Sequence, residues 1–95
     1  SGVAECWGTT TTKGTSGTSS LGTATNMPYQ MYNATFPFTF KSAPVVTVGA
    51  IDGGTGLAVG GISGAATTTS VTAEIVGTQS AIESGCCLYA IGKWK

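Results

Sequence analysis

The carboxylates and thiols that could do acid–base or nucleophilic chemistry in this sequence are few, and the sequence has no histidine. They are four carboxylates and three thiols: Glu5, Asp52, Glu74, Glu83, Cys6, Cys86 and Cys87. Without histidine, the Ser–His–Asp and Cys–His arrangements of hydrolases are excluded. Two carboxylates could hydrolyse a glycoside, but Glu74 falls within a predicted strand and the other three fall near strand ends or in loops. The sequence therefore predicts a protein that is not an enzyme, and it disfavours a polysaccharide depolymerase.

The cysteines are too few for a metal site and odd in number for a closed set of disulfides. Structural zinc takes four ligands, usually cysteine and histidine, so the sequence predicts no metal and no other cofactor. Two interpretations of the thiols stay open: a bridge from Cys6 to Cys86 or Cys87, or reduced thiols that pack as small apolar side chains, which we favour. In either case Cys86 and Cys87 are adjacent in one predicted strand and should point to opposite faces.

Two polar loops hold the best candidates for contacting a ligand. The D-G-G-T-G segment at residues 52–56 resembles a phosphate loop. No helix follows it and no lysine closes it, so a glycine-rich hairpin turn is the favoured interpretation, with Asp52 and Thr55 as its ligand-contacting candidates. Gln79 and Glu83, in the polar loop at residues 77–85, form a second candidate cluster.

The amphipathic aromatic side chains are the other binding candidates. Trp7, Tyr29 and Tyr32 could stack on a sugar or pack at a subunit interface, and Tyr89 and Trp94 have the same chemistry. For each of these residues taken alone, packing is the favoured role. The sequence thus predicts a binding module rather than a catalyst, with candidate contacts spread over several parts of the chain.

The composition narrows the possible partners. Charged residues make up 8% of the 95 residues, against about 25% in an ordinary globular protein. Four lysines balance four acids, with no arginine, so the chain carries no basic footprint for nucleic acid or an anionic membrane surface. No stretch approaches the roughly 20 apolar residues of a membrane helix, and no membrane insertion is expected. Such an uncharged surface suits extracellular particles and tightly assembled oligomers.

Alternation of apolar and polar residues predicts six strands. They are residues 3–8, 35–41, 44–51, 57–62, 70–76 and 86–94. The clearest pattern is T-F-P-F-T-F-K at residues 35–41, which puts three phenylalanines on one face and predicts a hairpin with residues 44–51. Residues 9–25 are almost wholly Thr, Ser and Gly and predict an extended loop or a long hairpin, part of which could pair as an edge ribbon. No segment has helical spacing.

These strands suit a small antiparallel β-sandwich that forms one domain over residues 1–95. Several strands carry apolar residues on both faces, as Val45 with Val46 and Ile75 with Val76 show. One face of such a strand can be buried within the protomer and the other against neighbouring subunits, which also protects the edge strands. We therefore expect a homo-oligomer.

Three short segments, spread from one end of the chain to the other, carry a resemblance to a known family. They are G-V-A-E-C-W-G at residues 2–8, F-P-F-T-F-K-S-A-P-V-V at residues 36–46 and L-Y-A-I-G-K-W at residues 88–94. In this order they resemble the C-terminal domains of tail fibre and minor structural proteins from phages and prophages of Gram-positive bacteria. Each segment is short, and their order and spacing together give the resemblance its specificity.

The resemblance implies a six-stranded sandwich of the H-type lectin kind, assembled as a parallel homotrimer at the tip of a fibre. It implies that the chain is the C-terminal module of a longer fibre protein, made in the bacterial cytoplasm and located in the virion. The expected function is recognition of the host surface through a bacterial cell-surface glycan or another receptor, together with trimerisation of the fibre. The alternative is a purely structural trimerisation or decoration module of a phage tail or baseplate without a receptor.

Overall fold

The chain folds into two antiparallel β-sheets. The computed structural model describes residues 2–21, 24–51, 57–78 and 85–95, with side chains described outside residues 19–21 and 24–26. The described residues form seven strands and no helix. The strands are β1 (Val3–Thr10), β2 (Lys13–Leu21), β3 (Ala24–Thr35), β4 (Val45–Ala50), β5 (Ala58–Ile62), β6 (Ser70–Gly77) and β7 (Cys86–Lys93). The all-β architecture with two sheets, compatible with a β-sandwich, is as predicted.

The first and last strands pair along their whole length. The three-stranded sheet has the order β1-β7-β4, and β1 runs from Val3 opposite Lys93 to Thr10 opposite Cys86. The four-stranded sheet has the order β2-β3-β6-β5. Five of the six predicted strands are present, and two further strands, β2 and β3, form a hairpin that includes most of the Thr/Ser/Gly segment, consistent with the strand propensity of threonine.

The core lies between the two sheets and is small. Tyr32, Ala73, Ile75 and Cys86 are fully buried, and partly buried apolar residues such as Val48 and Leu88 pack against them. On β6 the burial alternates, with Val71, Ala73 and Ile75 buried and Thr72 and Glu74 partly exposed. This period of two is the pattern expected of a strand with one face on the core. The same alternation decides which side chains of each strand point outwards.

The strand predicted at residues 35–41 is wrong, and so is its hairpin with residues 44–51. Residues 36–44 lie outside the strands, because Phe36 and Phe40 donate their backbone N–H groups to Thr69 (2.8 Å) and Thr68 (2.9 Å) instead of to a ladder partner. Pro37 has no N–H to give to a ladder. The three phenylalanine rings contact one another, with centroids 5.2 Å apart for Phe36–Phe40 and 4.8 Å for Phe38–Phe40. The segment therefore forms an aromatic cluster on the connection between the two sheets.

The β2–β3 hairpin extends beyond the rest of the four-stranded sheet. β3 pairs with β6 only from Tyr29 to Thr35, whereas its pairing with β2 continues through Pro28 opposite Thr18 to Ala24 opposite Leu21. Among the described residues, this end of the hairpin is thus a two-stranded ribbon. The molecule is correspondingly elongated, with extents of 43 × 24 × 19 Å.

Candidate binding faces

The outer surface of the three-stranded sheet carries the tryptophan predicted as a binding residue. The register places alternate residues of its three strands on one side, and we call this side the tryptophan face. Its members are Val3, Glu5, Trp7 and Thr9 of β1, Cys87, Tyr89, Ile91 and Lys93 of β7, and Val45, Thr47 and Gly49 of β4. Successive side chains of a strand alternate between faces, so the intervening residues of these strands point to the core.

The tryptophan face leaves large apolar side chains in contact with solvent. Trp7 is 76% exposed, Val45 69% and Val3 53%. Ile91 lies between Val45 and Glu5 in one cross-strand row, and Tyr89 lies between Thr47 and Trp7 in the next. Contiguous exposed apolar side chains of this kind mark interaction surfaces more often than isolated ones do.

A carboxylate and a phenol form the polar centre of this face. The Tyr89 hydroxyl donates a short hydrogen bond to Glu5 Oε2 across the β1–β7 pair. The pKa of Tyr89 is raised above its ordinary value, first by this hydrogen bond and then by burial and by the negative charge of Glu5. The phenol therefore stays neutral through the physiological pH range and acts as a donor to Glu5.

The three cysteines are free and lie in different environments. Cys86 is buried in the core, Cys6 is partly buried and Cys87 is exposed on the tryptophan face, where its thiol donates to the Gly49 carbonyl oxygen at 3.6 Å. The prediction that Cys86 and Cys87 point to opposite faces is confirmed. Burial raises the pKa of the Cys86 thiol to about 11, and Cys87 contributes to the shift. Burial also raises the pKa of Cys6.

The strand register rules out the cysteine bridge that the sequence left open. Cys6 lies opposite Ala90, four residues along β7 from Cys86 and three from Cys87. At roughly 3.3 Å per residue, this puts Cys6 about 10 Å or more from either cysteine along the strand. A disulfide joins Cα atoms less than about 7 Å apart, so the interpretation as unbridged thiols is the one that fits the structure.

Tyr32 is a core residue, and its prediction as a ligand contact is wrong. Its side chain is 0% exposed. Its hydroxyl accepts the backbone N–H of Gly85 at 3.1 Å, which satisfies a buried donor next to the start of β7. The cause is the parity of β3: Gln30 and Tyr32 point inwards, while Tyr29 and Met31 point outwards.

The remaining predicted contacts do not converge on one site. Tyr29 is partly buried on the outer surface of the four-stranded sheet, where its ring lies over Gly17 and its backbone is opposite Val76. Trp7 is therefore on the opposite side of the molecule from Tyr29. Asp52, Thr55, Gln79 and Glu83 lie outside the described residues. Sequence reasoning missed the Glu5–Tyr89 pair, although the two residues stand at alternate positions from Trp7 and Ile91 in the printed sequence.

The outer surface of the four-stranded sheet is more polar. Thr72 donates from its hydroxyl to Asn33 Oδ1 at 3.2 Å across the β3–β6 pair. A shallow depression of about 240 Å³ lies where β5 presents Gly60 and Gly61, with Glu74 and Val76 of β6 beside them. Val76 is only 8% exposed, and the exposed apolar side chains of this region are on the edge strand β5 and just before it, with Val59 at 49% and Leu57 at 70%.

A second apolar feature lies at the end of the sandwich where the chain finishes. A cleft of about 310 Å³ is lined by Ala4, Phe38 and Trp94. The Trp94 indole is 52% exposed, and the Lys95 ammonium lies 5.2 Å from the centroid of its ring. An exposed indole beside a cation is a surface on which a planar or apolar group can stack.

No group of three or more His, Cys, Asp or Glu residues within the described parts of the chain could hold a metal ion. Among those same residues, no helix is long and apolar enough to cross a membrane. Comparison of the chain with protein-family models, with curated proteins and with solved structures found no match.

Proposed function

We propose that this chain is a non-enzymatic assembly and binding module, the trimeric tip domain of a phage tail fibre that attaches to the bacterial surface. Subunits associate through the tryptophan face, and the assembled tip contacts a cell-surface glycan. The proposed fold is a sandwich of the H-type lectin kind that assembles as a parallel homotrimer in the virion.

The observation that carries this proposal is the uncovered tryptophan face. Removing apolar surface from water contributes about 25 cal/mol per Å², and a side chain as large as Trp7 or Val45 forgoes that contribution while it is exposed. A homo-oligomer with closed symmetry can cover the same face on every subunit. The extended β2–β3 ribbon supports the same interpretation, because an isolated two-stranded hairpin is at best marginally stable in water and gains from packing on a neighbour.

The fibre-tip part of the proposal rests on the three segments that resemble phage tail proteins. The first segment contributes β1 and the third contributes β7, and these two strands pair along their length. The second forms the aromatic cluster and enters β4, which pairs with the other side of β7. The three segments thus belong to one contiguous region of the fold, which supports treating them as a single signature.

The test combines the mass of the assembly with binding to bacteria. The chain is labelled fluorescently and its binding to Gram-positive cells is measured, with its mass determined by light scattering at about 10 µM. The proposal expects a trimer that binds cells and that competes with phage adsorption. A monomer would contradict trimerisation, and unchanged phage adsorption at saturating competitor would contradict the receptor role.

The exposed apolar face by itself also fits a purely structural module without a receptor. That alternative expects the same trimer but no binding to cells or to isolated cell-wall glycan. Cell binding therefore separates the two functions, while the mass measurement tests the assembly that both require.

A further inference from the structure

The cleft at the chain's C-terminal end combines an aromatic wall with a lysine ammonium group. Lys95 Nζ lies 5.2 Å from the centroid of the Trp94 ring, and the Lys95 side chain is exposed. Lys93 points to the tryptophan face, and Lys13 is on β2 in the other sheet. The cation that the structure places beside the cleft is therefore Lys95.

The walls of the cleft are held in place by the fold. The backbone N–H of Trp94 donates to the Gly2 carbonyl at 2.9 Å, which holds the Trp94 backbone beside the start of β1. Phe38 packs on Phe40 with ring centroids 4.8 Å apart, and Phe40 is 1% exposed. A preformed pocket loses less conformational entropy on binding than a flexible surface does.

The nearby acid on β1 points away from the cleft. Glu5 lies on the tryptophan face, where its Oε2 accepts the Tyr89 hydroxyl bond, whereas Ala4, the adjacent residue of β1, lines the cleft. The described surface around the cleft therefore offers a cation and apolar atoms, which is complementary to a ligand with an apolar face and a negative group.

We propose that this cleft binds an acidic saccharide, with the C–H face of a pyranose on the Trp94 indole and its anionic group towards the Lys95 ammonium. This inference rests on the proposed glycan-recognition function and names the class of glycan. Indole faces present both an apolar surface and π electrons to a ring, and lysine ammonium groups pair with carboxylate, phosphate or sulfate as mobile point charges. The indole face and the lysine charge are both required, because an aromatic surface alone would not select a charged ligand and a charge alone would not select a sugar.

The experiment compares polymers that separate charge from sugar. Binding of the 95-residue chain to polygalacturonate, to its fully methyl-esterified form and to inorganic polyphosphate is measured by calorimetry at low and physiological salt. Polygalacturonate is expected to bind about tenfold or more tightly than either other polymer. Its affinity should fall as salt rises, because the Lys95 ammonium group is solvent-exposed and screened.

Variants locate the binding at the cleft. Trp94→Ala is expected to weaken binding of polygalacturonate about tenfold, and Lys95→Gln a few-fold. Lys13→Gln removes the same charge from the other sheet and is expected to leave the affinity unchanged. Circular dichroism confirms the fold of each variant. Trp94→Leu, which keeps an apolar side chain on the wall but removes the aromatic face, is expected to weaken binding as Trp94→Ala does.

Four outcomes would overturn the inference. Equal binding of polygalacturonate and its methyl ester would remove the role of charge. Equal binding of polyphosphate, unaffected by Trp94→Ala, would reduce the cleft to non-selective ion pairing. A change in assembly mass on Trp94→Ala without a change in affinity would make a second copy of the chain its occupant. Bacterial binding that persists at full strength in Trp94→Ala and Lys95→Gln would overturn the acidic-saccharide site alone, whereas absence of any bacterial binding would contradict the proposed receptor function as well.

Discussion

The two outer faces of the molecule differ in what they leave exposed to water. On the tryptophan face, Trp7 and Val45 are 76% and 69% exposed. On the outer surface of the four-stranded sheet, Thr72 and Asn33 bond to each other at 3.2 Å and Val76 is 8% exposed, while Val59 on the edge strand β5 is 49% exposed. Both faces belong to antiparallel sheets that pack on the same core. The core therefore does not account for the exposed apolar residues of the tryptophan face, which the proposed subunit interface would cover.

The tryptophan face carries few charged side chains. An exposed sheet face usually keeps a protein soluble with charged side chains, yet of the residues on the tryptophan face only Glu5 and Lys93 are charged. Glu5 is hydrogen-bonded to Tyr89. A face that is covered by neighbouring subunits has less need of charge, and unpaired charge there would cost free energy of association.

The largest expected effect is the difference in assembly between two variants that place a lysine on one outer face or on the other. Thr47 and Thr72 occupy outward positions of the two sheets. Thr47→Lys is expected to convert a trimer to a monomer, because it would bury an unpaired charge in the interface. Thr72→Lys removes the bond to Asn33 and is expected to preserve the trimer. The check is sedimentation velocity of both variants, and a trimer of Thr47→Lys would refute the assignment of the interface.

Gly60 and Gly61 are adjacent in β5 and face the inside and the outside of the four-stranded sheet, respectively. Substitutions at these two positions therefore compare the packing on the two sides of the sheet. A Cβ atom on Gly60 would lie 2.8 Å from Ile75 Cδ1 and 3.0 Å from Val48 Cγ1, whereas one on Gly61 would meet nothing within 4 Å. Gly60→Ala is expected to lower the free energy of unfolding by about 1–3 kcal/mol through overpacking. Gly61→Ala should change it by about 0.5 kcal/mol or less. Urea denaturation measures both, and equal losses would show that the sheets are not so closely packed at Gly60.

The thiols of Cys86 and Cys87 are adjacent on β7, and their reactivity reports on the core and on the tryptophan face, respectively. Cys87 is exposed and Cys86 is buried with its pKa raised to about 11. In a monomeric variant such as Thr47→Lys, Cys87 is expected to react with iodoacetamide first and Cys86 last, because the thiolate is the reactive form. Assembly should slow the reaction of Cys87. Mass spectrometry of digested samples gives both rates, and a Cys87 rate that is independent of assembly would argue against its place in the interface.

The smallest expected effect concerns alkaline pH. The pKa of Tyr89 is raised in the folded chain, first by its hydrogen bond to Glu5. The stability that this hydrogen bond contributes is therefore fully present below the ordinary tyrosine pKa of about 10, and it is lost as pH rises through the raised pKa. Ionised Tyr89 would repel Glu5 on the tryptophan face. We expect assembly to weaken above about pH 10, and Tyr89→Phe to diminish that dependence. Light scattering between pH 8 and pH 11 checks this, and an unchanged profile in Tyr89→Phe would contradict it.

The sequence predicted the strands whose burial follows a simple alternation. β6 and β7 begin where the pattern of residues 70–76 and 86–94 places them. The failure at residues 35–41 has a physical cause: the alternation of Phe36, Phe38 and Phe40 also suits a cluster of rings, and a single sequence does not reveal that the backbone donors go to Thr68 and Thr69.

The candidate sites were harder to predict than the strands. The role of Tyr32 depended on the parity of β3, which begins in a Thr/Ser/Gly segment with no clear alternation. The Glu5–Tyr89 pair depends on the register of two strands that are 84 residues apart in sequence. Neither the parity nor the register is encoded locally, since both are set by packing across the whole sandwich.

The most direct test of the tryptophan face is a matched pair of substitutions that remove apolar surface from either side. Trp7→Thr together with Val45→Thr changes the tryptophan face, and Val59→Thr changes an exposed valine on the outer surface of the four-stranded sheet. Sedimentation equilibrium of each protein is compared with three times the 9.4 kDa of one chain. We expect a trimer for the native chain and for Val59→Thr, and a folded monomer for the double variant. A double variant that remains trimeric would contradict it.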